Sequence, residues 1–397
     1  MSIIAFLSEK ERARAIEIAT LVASRVIEYY AGDRPQLDGS QASPPAVGHL
    51  AGGLLGAVLL VAELRSITGD AKWSPDDVFA KAFDNAYPEG SGLFTGWTGV
   101  LAVLQCTKTR NFGRLRQRIR SRLRESLPEL LRMTSWDRQI TFDFISGISG
   151  IRIGLENEPE TEDLCAAIDS ELVRLVKALP APATSSHTYG INLGFAHGAP
   201  GVLLALTLGS ADESVEAARS VGDFVVAHAI YGQDRLTWPW TSEGASPARM
   251  AWCYGNPGVA LSLWALFKRT DLKVYEEAAT EALNGLVGAP VDKMGIVDEA
   301  ICHGHVGNAL ILAGLSHALG SSDGESRALY HFTASINAFE NDLAFGYLQS
   351  LGGHMKSSPG LLEGSTGIAL GLLALSNDTN PGWLRFFGIP CAMNSSV

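Results

Sequence analysis

The chain predicts an all-α fold, an α/α toroid built as a double barrel of seven helical-hairpin repeats with about fourteen helices. Three observations carry that expectation. First, Gly-x-x-Gly recurs seven times, with first glycines at Gly53, Gly96, Gly147, Gly198, Gly255, Gly304 and Gly364, 43 to 60 residues apart. Repeats of this length are typical of helix–turn–helix arrays. Second, the units lead into stretches such as Val100-Leu101-Ala102-Val103-Leu104, Val202-Leu203-Leu204-Ala205-Leu206 and Ile368-Ala369-Leu370-Gly371-Leu372. Helices that are apolar nearly all round are buried ones. Third, amphipathic stretches lie between them, including Glu9 to Tyr30, Ser214 to Ala229 and Lys273 to Leu286. Seven units suggest a closed ring, with apolar helices inside and amphipathic helices outside. Lacking a Cβ, the glycines let the inner helix starts crowd together at one end. Helix starts carry partial positive charge, so that mouth favours thiolates and anionic groups.

The elements follow in order from this frame. Glu9 to Tyr30 is an outer helix. The run Arg114, Arg116, Arg118, Arg120, Arg122 and Arg124 alternates as a strand would, yet Leu115, Ile119, Leu123 and Leu127 recur every fourth residue, as on one helical face. The repeat context selects an outer helix. A solvated arginine face is expected there ahead of a docking patch for an acidic partner. None of the Gly-x-x-Gly units is a phosphate loop, because no Lys-Ser/Thr follows and no βαβ pattern surrounds them. No linker or low-complexity stretch divides the chain, which reads as a single domain over residues 1–397.

Composition narrows the function. A net charge of −11 argues against nucleic-acid binding, and 46% hydrophobic with 18% charged residues suits a largely buried architecture. The apolar run Ile3 to Leu7 is short and meets Glu9, Lys10, Glu11 and Arg12 at once, so no secretory signal is expected. The stretch Leu50 to Ala62 is too short and Gly-rich to span a bilayer. Five cysteines without a disulfide-like pattern point to a reducing cytoplasm, with Cys106, Cys165 and Cys391 as buried thiols.

Chemistry concentrates in Trp252-Cys253-Tyr254-Gly255 and Cys302-His303-Gly304, which open two of the repeats. Two thiols and an imidazole at matching points are what a Zn²⁺ site uses, and three protein ligands leave a tetrahedral position open for chemistry. Neighbouring side chains such as Cys302 and His303 converge on one ion when they sit at a helix start. Asp143 precedes Gly147 by four, His197 directly precedes Gly198, and Arg249 precedes Cys253 by four. A ring brings these residues to one mouth, where Asp143 would orient His197 for acid–base work and Arg249 would stabilise an oxyanion. His305, two residues after the ligand pair, is expected to support the ligands or to lie on the helix surface and not to ligate. His49, His187, His228, His317, His331 and His354 read as hydrogen-bonded core residues.

Taken together, Asp143…Gly147-x-x-Gly150, His197-Gly198-x-x-Gly201, Arg249-x-x-Trp252-Cys253-Tyr254-Gly255-x-Pro257-Gly258, Cys302-His303-Gly304-x-x-Gly307 and Glu363-Gly364-x-x-Gly367 resemble the lanthionine synthetase C-like family, the lanthipeptide cyclases. The resemblance runs from about Gly48 to Trp383, with Pro381-Gly382-Trp383 similar to the family's closing segment. It implies an α/α toroid holding one Zn²⁺ per chain on Cys253, Cys302 and His303, acting on a dehydrated precursor peptide made of leader and core. A peptide Cys thiolate would add to dehydroalanine or dehydrobutyrine and form a thioether ring. Arg249 would stabilise the resulting enolate, His197 or a zinc-bound water would protonate it, and Trp252 and Tyr254 would shape the pocket. The resemblance also implies a separate lanthipeptide dehydratase and a transporter complex as partners, in a cytoplasmic assembly peripheral to the membrane. A prenyltransferase-type barrel fits less well, since its zinc set includes Asp. A relative adding glutathione to dehydroamino acids, and a non-catalytic zinc-bearing scaffold or receptor, remain the alternatives.

Overall fold

Every Gly-x-x-Gly unit opens an inner helix. Numbered along the chain, these are α2 (Leu55–Thr68), α4 (Trp97–Cys106), α7 (Ile148–Gly154), α9 (Ala199–Thr207), α11 (Asn256–Thr270), α13 (His305–Leu319) and α15 (Ser365–Ser376). Alternating with them are the outer helices α1 (Glu9–Ala31), α3 (Pro75–Phe83), α5 (Gly113–Met133), α8 (Glu162–Lys177), α10 (Asp212–Ala227), α12 (Lys273–Val287) and α14 (Ser322–Asn337). The computed structural model describes residues 5–31, 48–83, 87–107, 112–179, 190–232, 235–377 and 381–390; Cys391 and His187 lie outside them. The expected seven and seven are all present, with the single turn α6 (Gln139–Phe142) added ahead of α7. No described helix is long and apolar enough to cross a membrane.

Burial follows the pattern of each helix. In α13 every residue from Val306 to Ser316 is buried, whereas α12 buries only Tyr275, Ala278, Ala279, Ala282, Leu283, Gly285 and Leu286, one stripe at three- and four-residue spacing. The arginine-rich segment is the helix α5, inserting Ile119, Leu123 and Leu127. Each inner helix packs on the next, and α15 packs on α2 to close the ring. The outer helix α1 lies against both α15 and α2, so the last inner helix takes its outer partner from the other end of the chain. Six hairpins are continuous in sequence; the seventh joins the two ends.

The inner helix starts are tied by backbone hydrogen bonds at one register, two residues before each first glycine. Ala51 N–H donates to Phe94 O (2.9 Å), Phe94 to Ile145 (3.0 Å), Ala196 to Cys253 (3.3 Å), Cys253 to Cys302 (3.2 Å), Cys302 to Leu362 (3.0 Å) and Leu362 back to Ala51 (3.0 Å). The remaining step runs from Phe144 N–H to Ala196 O at 2.9 Å. These groups lie outside any helix and would otherwise be unpaired in a closed barrel end. The second glycine of the unit has a steric reason as well. A Cβ at Gly99, Gly150, Gly201, Gly258, Gly307 or Gly367 would overlap the carbonyl oxygen six residues earlier, where the entering chain presses on the helix.

One residue below this ring lies an apolar layer of Leu50, Leu93, Phe144, Phe195, Trp252, Ile301 and Leu361, all buried. The 3-10 segment Gly382–Phe387 packs on α4 and α7 and seats Phe387 against Phe94 and Trp252, with ring centroids 5.5 and 5.3 Å apart. Two antiparallel hairpins, β1 (Ile230–Gly232) with β2 (Arg235–Thr237) and β3 (Gln349–Leu351) with β4 (His354–Lys356), sit in the connections that enter α11 and α15.

Candidate metal centre

The hydrogen-bonded ring explains why residues far apart in sequence meet. Cys253 and Cys302 hold the same register in adjacent repeats and are joined by their own backbone bond. His303 follows directly, and the donor atoms of the three residues lie within 4.8 Å of one another. Among the described residues no other group of three such side chains is so close. Two sulfurs and an imidazole nitrogen, buried and convergent, suit a borderline-soft ion such as Zn²⁺.

The protonation of the cluster has physical causes. The Cys302 side chain's hydrogen bond draws Cys253 down to about 6 against the opposing effect of burial, with help from His303 and Arg249. Cys302 moves the other way, raised by the same bond to Cys253 and by burial. Burial opposes a charge on His303, but the Asp298 carboxylate and Cys253 outweigh it and lift the imidazole to about 10. Ion binding displaces such protons from thiol and imidazole ligands.

Asp298 is a residue that sequence reasoning missed. Its Oδ2 lies 3.2 Å from His303 Nε2, which fixes the ring and leaves Nδ1 for an ion. The carboxylate accepts N–H bonds from Ala300 and Ser350, both 2.9 Å, so the β3 strand holds it in turn. Asp298→Asn should therefore weaken zinc binding about 10- to 100-fold, measured by competition with a chromogenic chelator. Unchanged affinity would remove Asp298 from the centre.

A second polar cluster sits on the neighbouring repeats. Asp143 Oδ1 accepts N–H bonds from Ile145 (3.2 Å), Ser146 (2.7 Å) and Gly147 (2.9 Å), while Oδ2 lies 2.8 Å from His197 Nδ1. Asp143 is 4% exposed at its side chain and His197 34%, so a buried carboxylate orients a half-open imidazole. The repeat of His197 is tied to that of Cys253 by the Ala196–Cys253 bond. Tyr254 follows Cys253 and packs on Trp240, ring centroids 4.3 Å apart, with the Arg249 guanidinium 5.3 Å above the same indole. The Asn192 amide donates to the Tyr254 hydroxyl and to Gln139 Oε1, both at 3.0 Å. Burial raises the Tyr254 phenol, which stays protonated with its own O–H free to donate. Gly255, at φ 76°, makes the sharp turn in which an added Cβ would overlap the Arg249 carbonyl oxygen.

Trp252 behaves otherwise than the sequence suggested. Its indole is fully buried, donates to Phe387 O at 2.9 Å and contacts Phe94, Phe144 and Phe195. It supports Cys253 from beneath rather than lining the mouth. Exposure returns at the positions just before each first glycine: Thr95, Ser146, His197 and Tyr254 are half-buried and Glu363 is exposed, with His303 the buried member of the set. Glu363 Oε1 lies 3.8 Å from His303 Nδ1. His305 does not join the centre; its Nδ1 pairs with Nδ1 of the buried His331 at 3.0 Å. A signal for the missed residues exists in retrospect. Asn192 and Asp298 each stand six residues before a repeat glycine, the same offset as the predicted Arg249.

A toroid of seven hairpins with a thiol–imidazole donor set at its mouth defines a narrow class. The family description "Lanthionine synthetase C-like protein" matches residues 45–387, and the chain belongs to that family. Among solved structures, one named nisin cyclase is similar with a TM-score of 0.76 at 18% identity, covering 92% of this chain and 96% of that one. That likeness establishes the shared fold. A D-mannose isomerase structure aligns at a TM-score of only 0.39 and 10% identity, over 70% of this chain and 86% of that one.

Proposed function

We propose that this chain is a zinc-dependent lanthipeptide cyclase working as one folding unit, adding peptide cysteine thiols to dehydroalanine or dehydrobutyrine to form thioether rings. The observation that carries this reading is the convergence of Cys253, Cys302 and His303 beside the Asp143–His197 pair on one ring of backbone bonds. One Zn²⁺ on those three ligands would supply Lewis acidity, favouring the thiolate of a substrate cysteine over a thiol of pKa about 8.5.

The chain's own residues do the rest. The sulfur–carbon bond forms at the β-carbon of the unsaturated residue as the thiol proton departs, and negative charge grows on the acyl oxygen. Arg249, held on Trp240, and the O–H of Tyr254, held by Asn192, present a cation and a donor for that charge. Asp143 takes Nδ1 of His197 and so leaves Nε2 to deliver a proton to the α-carbon. Atoms balance: the product is an isomer of the substrate. The acceptor must already be unsaturated, so a separate dehydratase acts first. It is proposed as a partner together with a transporter complex, in a cytoplasmic assembly at the membrane.

The test supplies zinc-loaded protein with a dehydrated, cysteine-containing peptide and counts free thiols by alkylation, since ring closure leaves the mass unchanged. Thiols that disappear from the peptide support the cyclase reading. Thiols that persist overturn it, and uptake of added glutathione instead would move the activity to intermolecular addition.

A further inference from the structure

The arginines of α5 face two ways. Arg116, Arg120 and Arg124 turn toward α8 and its entry and are consumed there: Arg116 and Arg120 pair with Glu158 at 2.7 and 3.3 Å, and Arg124 with Asp163 at 2.8 Å. Arg118 and Arg122 occupy another stripe of the helix, both exposed, and form no ion pair among the described residues. They border a groove of about 510 Å³ whose other walls are Tyr87, Pro88, Glu89 and Trp97. Arg122 stands 5.3 Å over the Trp97 ring, and Tyr87 stacks on the same ring at 5.9 Å.

This groove adjoins the mouth. Thr95 belongs to the set of residues just before the first glycines, and Trp97 is only two residues further on, at most about 7 Å along the chain. The connections entering the inner helices also carry most of the exposed large apolar side chains, among them Tyr87, Ile140, Tyr231, Trp240, Val297 and Met355. A rim of this kind around a polar floor suits a polypeptide.

We propose that the groove holds an acidic, extended segment of the substrate peptide, outside its ring-forming part, while the cysteine of the same peptide reaches the mouth. The proposal rests on the cyclase reading. Two arginines with no ion pair among the described residues, on a chain of net charge −11 and against the single Glu89 of the groove wall, are a local exception that a few anionic side chains complement. Tyr87, exposed and backed by the buried Trp97 ring, offers aromatic surface to the residues between those acids. The small basic footprint, with Glu89 in the same wall, disfavours a phosphate polymer.

The experiment titrates a short fluorescein-labelled peptide of alternating Asp and Leu, and its Lys-for-Asp counterpart, with wild-type protein and with the Arg118→Glu/Arg122→Glu variant. Anisotropy should show the acidic peptide binding wild type and its Kd rising about tenfold or more in the variant, with added salt weakening binding. The Lys peptide should not bind. Unaltered melting temperature and zinc content show that the variant is folded, and Arg118→Gln/Arg122→Gln, which removes charge without reversing it, should give a smaller loss in the same direction. Equal binding of the acidic peptide to both proteins, or to neither, overturns the proposal. So does binding of phosphatidylserine vesicles through these arginines in place of the peptide. Wild-type ring closure on a peptide without acidic residues tests the cyclase reading by itself, so that the two failures are distinct.

Discussion

Replacing Cys302 by Ala should lower bound zinc from about one ion per chain to almost none, and abolish ring closure with it. Cys302 contributes one of the three donors that converge within 4.8 Å, a set to which the exposed Glu363 carboxylate, 3.8 Å from His303 Nδ1, does not belong. The fold should survive, because Cys302 belongs to the closed ring through its backbone. Its N–H donates to Leu362 and its carbonyl accepts from Cys253, and neither bond involves the sulfur. Metal analysis of the purified variant gives the stoichiometry, and circular dichroism reports the helices. Stoichiometric zinc in Cys302→Ala would refute the ligand set. Loss of zinc together with loss of the helical signal would favour the scaffold reading, in which the ion serves the fold and not a reaction.

His197→Ala should give the opposite dissociation of properties. Zinc should stay, since His197 lies in the neighbouring repeat and is not among the three donors, while ring closure slows by about 10²- to 10⁴-fold, the usual contribution of a positioned general acid or base. A half-exposed imidazole held by Asp143 at 2.8 Å has the geometry for a proton donor, and its removal frees Oδ2 of the buried carboxylate but leaves Oδ1 held by three backbone N–H groups. That last feature makes the variant a clean one: the turn before α7 keeps its bonds. The rate of thiol loss in the alkylation assay is the readout, with zinc content measured on the same sample. A zinc-loaded His197→Ala protein that closes rings at the wild-type rate would take His197 out of the mechanism.

The repeat, the helical class and the three convergent donors are legible in the chain's local pattern. Each follows from local pattern: glycine pairs that admit a tight helix entry, apolar stretches with no polar face, and Cys253, Cys302 and His303 at fixed offsets from repeat glycines. Ring closure was legible too, from the number of units. The rest depends on contacts between repeats, which no spacing encodes. Asp298 supports His303 because the chain folds back between them and β3 reaches across to hold the carboxylate. Asn192 and Trp240 bear on Tyr254 and Arg249 from other connections at the same mouth. Trp252 shares its string with Cys253, yet the bend there turns the thiol to the other donors and the indole into the aromatic core. The division of the α5 arginines is of the same kind. Six like charges read as one face in sequence, and the acidic groups around α8 consume only one side of the helix.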